Sequence, residues 1–200
     1  MATGSKTSRD EILKAIRRKL PQSAELPSLT ADWVAYDDRF ARFQELVERV
    51  GGRCVRVADA DAIARDLAAL PQFASAKKII SLAPEIVAGN IDLNDLEDPH
   101  QTEDIDFAIG RAEFAVAENG AVWVHDQGVK HRAVFFLVQH LALIVPADRI
   151  LDNLHQAYEQ LAFPDAGFGV FISGPSKTAD IEQSLVIGAH GPRSLTVFCL

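Results

Sequence analysis

The chain has 200 residues, of which 48% are hydrophobic and 24% charged, the composition of an ordinary globular domain rather than of a disordered or fibrous chain. Its 28 acidic residues against 20 basic ones leave a net charge of -8, which disfavours nucleic acid and anionic membrane surfaces as partners. No run reaches the roughly 18 apolar residues that suggest a membrane span, and the polar start "MATGSKTSRD" is unlike a secretory leader, so the cytoplasm is the expected compartment.

In chain order, Ser8-Arg9-Asp10-Glu11 fits a capping box. Ile12, Ile16 and Leu20 then recur every four residues, with Arg17, Arg18 and Lys19 where cations suit the helix dipole. A helix over 8–20 is predicted, and the proline-bearing stretch 21–29 reads as a linker. Residues 1–30 are thus a helical arm and linker, and 31–200 a single domain. Phe40, Phe43, Val47 and Val50 mark the buried face of a second helix, which Gly51-Gly52 ends.

A strand at "CVRV", a helix over 61–70 and a strand at 78–82 follow, then a polar loop through "DPHQTED". The middle is β-rich, with strands predicted in 106–110, 114–124 and 140–145. The next helix is expected to bury Ile150, Leu154, Tyr158 and Leu161; "GVFIS" then reads as a strand, and a short helix runs on through Ile187 before a terminal strand "LTVFCL". Alternating elements with strand-length, poorly alternating apolar runs indicate an α/β fold whose strands are covered on both faces.

Two stretches have the composition of a site. In "SGPSKTADIE", a strand-to-helix corner would present backbone amides and the positive end of a helix to an anion, with Ser173, Gly174, Ser176, Lys177, Thr178 and Asp180 as contributors. The lysine follows Ser176 rather than a glycine, so this is not a nucleotide P-loop. The alternative is structural: Ser176 or Thr178 caps the helix, and Asp180 and Glu182 suit its first turn.

In "AENGAVWV", Asn119-Gly120 is a strong hairpin signal, since a type I′ turn needs positive φ at both central residues, and both residues are candidate ligand contacts. Glu118 beside it is a candidate nucleophile or base, if the strand end partly buries it.

His125 and His131 lie six apart in a loop and match no zinc signature. His140 and His155 read as structural, whereas His190 in "GAHGP" is a candidate ligand contact. A helix between them would put His190 roughly 15 Å from Lys177. Cys54 and Cys199 read as buried free thiols. No nucleophile elbow, dinucleotide fingerprint or redox cysteine pair occurs, and no cofactor or metal is expected.

The stretches "AEFAVAENGAVWV", "SGPSKTADIEQSLVIGAHGPRSLTVFCL" and "SRDEILKAIRRKL" together resemble the lactate-utilisation protein C family, whose shared region is called the LUD domain. The stretch "HRAVFFLVQHLALIV" is looser than the family's usual text. The resemblance implies a three-layer α/β/α sandwich around a mixed, mostly parallel sheet, like that of sugar-phosphate isomerases and coenzyme A transferases. It also implies a cluster-free part in oxidising L-lactate to pyruvate, alongside iron–sulfur proteins; within such a system the 173–180 loop is expected to bind a small carboxylate or phosphate. "AENG" further resembles the segment of coenzyme A transferases whose glutamate forms an acyl intermediate, here Glu118, although the continuation "AVWV" departs from that pattern.

Overall fold

In a computed structural model, which describes residues 5–20, 25–161, 167–178 and 186–200, several helices begin where short polar side chains accept the first amide hydrogens. Asp38 caps α2 (Arg39–Arg49) by accepting from Ala41, and Asp59 caps α3 (Ala60–Ala69) by accepting from Ala62. After α2 the chain turns through Gly51 at φ +88°, as the Gly-Gly pair predicts. Phe43 and Val47 form the buried face of α2.

The chain divides into two units, Met1–Asp32 and Trp33–Leu200. The described part of the first contains α1 (Ser5–Arg18), with Ile12 and Ile16 more than half exposed.

The second unit is built on a parallel five-stranded sheet. It consists of β1 (Arg53–Arg56), β2 (Ile79–Ser81), β3 (Phe107–Arg111), β6 (His140–Val145) and β11 (Ser194–Cys199), in the order β1-β11-β6-β3-β2. A second, mixed sheet has the order β7-β4-β5-β8, from β4 (Phe114–Val116), β5 (Ala121–His125), β7 (Ile150–Leu151) and β8 (Gly169–Ile172).

Side chains alternate between two clusters along β6, and both faces are dry from Leu141 to Val145. Leu141, Leu143 and Val145 join a cluster with Val122, Val124 and Ile172 of the second sheet, with α2, and with Phe135 of α5 (Val134–Leu137). Ala142 and Ile144 join Ile63 and Leu67 of α3, and Phe73 of α4 (Pro71–Ala74) packs against that cluster. This is why the strands read as continuous apolar runs. The outer face of the second sheet, with Phe114 and Trp123, packs on Ala157 of α6 (Leu154–Gln160). The result is an α/β sandwich with a mostly parallel central sheet, in which much of one face of that sheet is covered by a second sheet.

Several elements differ from the expectation. The helix expected to bury Ile150, Leu154, Tyr158 and Leu161 starts only at Leu154. Ile150 and Leu151 are a strand paired with Ala115 and Val116. Tyr158 is 65% exposed, and the residue α6 buries is Ala157. The polar loop through "DPHQTED" is a 3-10 helix, Pro99–Asp104, closed by a capping box between Asp98 and Gln101. In place of the start and end of the helix drawn through Ile187 stand two short strands, β9 (Lys177–Thr178) and β10 (Val186–Ile187), paired antiparallel. Asp180 and Glu182 lie outside the described residues.

Candidate ligand site

The hairpin between β4 and β5 pairs Val116 with Ala121, so its loop has four residues, 117–120. Only Gly120 takes positive φ, +66°, so this is not the two-residue type I′ turn that Asn-Gly suggests. Gly120 donates its amide hydrogen to Val116 O at 3.0 Å, and Asn119 Oδ1 accepts from Ala121 at 3.1 Å. A Cβ at position 120 would stand 2.9 Å from the Val47 nitrogen, so glycine here also lets the loop rest on α2.

Glu118 is exposed rather than partly buried. Its amide donates to Asp152 O at 3.0 Å, and its Oε2 accepts from the Leu154 amide at 2.9 Å, at the start of α6. The β5–β8 ladder sets Val122 opposite Ile172, which brings the end of β8 beside this loop. There Ser173 donates its hydroxyl hydrogen to Asn119 O at 3.0 Å. Two motifs far apart in sequence are therefore neighbours.

Beyond Ser173 the backbone turns through Gly174 at φ +76°, where a Cβ would approach Val50 O to 2.9 Å, and Pro175 is buried. The Ser176 amide donates to Pro192 O at 2.8 Å, and the Gly188 amide donates to Ser176 O at 2.9 Å. With Lys177 opposite Ile187, this ribbon folds the "GAHGP" segment back onto the "SGPSK" loop. A Cβ on Gly191 would stand 2.9 Å from Ser176 Cβ, so only glycine permits the approach without movement.

The product is a cleft of about 340 Å³ whose lining includes Ser173, Gly174, Ser176, Lys177 and His190. His190 and Lys177 both line it. Thr178 continues the ribbon. Glu118, Asn119 and Gly120 do not line the cleft; the Ser173–Asn119 hydrogen bond connects their loop to it. Sequence reasoning missed the floor, which includes Phe136, Leu141 and Leu195. Leu141 and Leu195 meet only through the β6–β11 register, a long-range relation with no local signal.

The remaining histidines are dispersed. His125 Nδ1 accepts from the Gln127 amide at 3.1 Å, so its Nε2 carries the hydrogen facing Glu113 Oε1 at 3.2 Å. His131 Nε2 lies 2.8 Å from Leu96 O, and His100 Nδ1 lies 2.7 Å from Asp98. His155 stacks on Trp33 with centroids 3.5 Å apart. His140 pairs through Nδ1 with Ser194 Oγ at 2.8 Å, and burial, with the neighbouring Arg193 charge, holds its imidazole below the ordinary histidine value.

Among the described residues, no group of three or more His, Cys, Asp or Glu side chains is arranged to hold a metal ion. No helix among them is long and apolar enough to cross a membrane.

Fold and cleft together define an α/β sandwich protein with a ligand-sized opening between its two sheets. The chain belongs to the LUD domain family, whose family model matches residues 40–200. It is 38% identical over 102 residues to Lactate utilization protein C 1 of Bacillus mycoides (strain KBAB4), a match covering 45% of this chain and 44% of that one. Lactate utilization protein C of Geobacillus sp. (strain WCH70) is 26% identical over 204 residues, covering 94% of this chain and 78% of the relative. The matches thus span under half the length of some of these relatives and more than three quarters of another. In three dimensions the chain is similar to a DUF162 family protein from Deinococcus radiodurans. The TM-score is 0.62 at 17% identity, over 80% of this chain and 95% of that one.

Proposed function

We propose that this chain is a cluster-free subunit or accessory binding protein of a cytoplasmic system that oxidises L-lactate to pyruvate beside iron–sulfur proteins. Its own task is to bind a small anion, a carboxylate or a phosphate group. The names of its relatives support the pathway. The observation that carries the binding role is the convergence of Ser176, Lys177 and His190 on one cleft. A lysine ammonium and hydroxyl donors form charge-assisted hydrogen bonds to a carboxylate or phosphate oxygen. In this reading residues 31–200 are the ligand-binding body, and residues 1–30 are the arm and linker available to a partner.

Thermal shift with lactate, pyruvate and phosphate tests the binding role. A ligand bound only by the folded state must raise stability by mass action. The wild type is expected to gain stability and the doubly substituted Ser176→Ala/Lys177→Ala form to gain much less; no gain in the wild type with any of them would refute the role. Deleting the gene and growing the strain on lactate as sole carbon source tests the pathway, with loss of growth expected.

A second reading makes Glu118 the nucleophile of an acyl or coenzyme A transfer reaction. It is favoured by the position of that carboxylate on a loop tied to the cleft through Ser173. It requires an acyl adduct on Glu118 detectable by mass spectrometry and absent in Glu118→Gln. Restoration of lactate growth by Glu118→Ala would contradict it.

A further inference from the structure

The mouth and the floor of the cleft differ in kind. Ser173, Ser176, Lys177 and His190 make the mouth polar, and no carboxylate is among the described residues that line the cleft. The floor belongs to the core between the two sheets. Leu141 and Leu195 stand opposite each other on β6 and β11, each 1% exposed, and Phe136 and Ile172 flank them half-buried.

Gly191 supports this geometry. A Cβ there would meet the Phe136 main-chain O at 2.9 Å as well as Ser176, so the "GAHGP" segment packs against the backbone of α5 beside the half-buried Phe136. An inorganic ion at the mouth would leave the half-buried Phe136 and Ile172 facing water, whereas an alkyl group extending inward would cover them.

We propose that the ligand is an organic monoanion with an apolar tail of several carbons. Its anionic head is held at Ser176 and Lys177, and its tail lies on Phe136 and Ile172, above the buried Leu141 and Leu195. The proposal rests on the anion-binding reading and adds the chemical class of what is bound. It also assigns the floor a specificity role: the cleft selects tailed carboxylates over compact anions.

Calorimetric titration with acetate, butyrate, hexanoate and inorganic phosphate tests it. Burying a methylene strengthens binding about fourfold, so hexanoate is expected to bind on the order of a hundredfold more tightly than acetate. Phe136→Ala is expected to weaken hexanoate severalfold more than acetate, and Ser176→Ala/Lys177→Ala to weaken every carboxylate alike. Equal affinity across the carboxylates, or phosphate matching hexanoate, would overturn the tail proposal and leave the anion reading standing. A chain-length gradient whose affinities are undiminished in Ser176→Ala/Lys177→Ala would overturn the placement of the head. Absence of binding by any of the four would overturn both.

Discussion

Ser173 donates its hydroxyl hydrogen to the main-chain carbonyl of Asn119 at 3.0 Å, across 54 residues of sequence. This bond joins the hairpin loop that carries Glu118 to the loop that opens the cleft. It is exposed, so Ser173→Ala is expected to cost no more than about 1 kcal/mol in a urea melt. Its effect on pyruvate affinity should exceed that cost, because Ser173 also lines the cleft. A titration beside the melt checks this.

Gly120 and Gly128 separate two reasons for glycine. Both have positive φ, +66° and +75°. A Cβ at 120 meets the α2 backbone, whereas at 128 nothing lies within 4 Å. Gly128→Ala is expected to cost only the backbone term, about 1 kcal/mol. Gly120→Ala adds a clash with atoms that cannot rotate away, for a total of about 2–3 kcal/mol. Paired denaturation curves decide between them.

Acid should destabilise the protein in two stages. Burial depresses the folded-state value of His140, with help from the Arg193 charge. The unfolded chain therefore binds the extra proton first, and stability falls as pH drops below about 6.5.

The second stage comes from Asp152 and Asp106. Burial tends to raise Asp152, but the Tyr36 amide, the Arg39 ion pair at 2.8 Å and Gln156 together hold it below the ordinary carboxylate value. Asp106 is held low by the amides of Lys78 and Lys77. Depressed carboxylates contribute stability at neutral pH that is lost below about pH 4. Asp152→Asn is expected to cost about 2 kcal/mol at pH 7, and the gap from wild type should shrink as pH falls toward 3. A constant gap would contradict this assignment.

The cysteines should be silent in the native state. Cys54 Sγ lies 3.9 Å from Cys199 Sγ, and both residues are buried. The contact with Cys199, then burial, push the Cys54 thiol well above the usual range, which suppresses the reactive thiolate. Labelling with a thiol-reactive dye at pH 8 is expected to follow the opening of β1 and β11 rather than ordinary thiol kinetics. Stoichiometric labelling within seconds in native buffer would contradict this.

What the sequence made legible follows from the range of the interactions. Helix α2 was readable because Phe43, Val47 and Gly51 are all local signals of one element. The strands of the central sheet were readable because both faces are buried, which writes continuous apolar runs. Ile150 was assigned to a helix because its spacing from Leu154 fits one turn; its pairing with Ala115 overrides that pattern and has no local mark. The Asn119-Gly120 pair signalled the hairpin correctly but not its loop length, which the contact of Gly120 with α2 helps to set.

The candidate site was half legible for the same reason. Ser173, Gly174, Ser176, Lys177 and His190 were named from local chemistry, but the Lys177–Ile187 pairing, which folds the segment of His190 back, has no local mark. The apolar floor depends on β6 lying beside β11, which no window of sequence contains. Asp152 went unremarked, although its carboxylate organises the start of α2 through Arg39 and the approach to it through Tyr36.

The most direct test of the account is a titration of pyruvate and of hexanoate into uniformly ¹⁵N-labelled protein, followed through its backbone amide resonances. The account predicts saturable shifts concentrated at Ser173, Gly174, Ser176, Lys177, His190 and Gly191, with hexanoate also moving Phe136, Leu141 and Leu195. Shifts confined to a different opening, such as the one lined by Arg111, Glu113 and His125, or no saturable shift with either ligand, would contradict it.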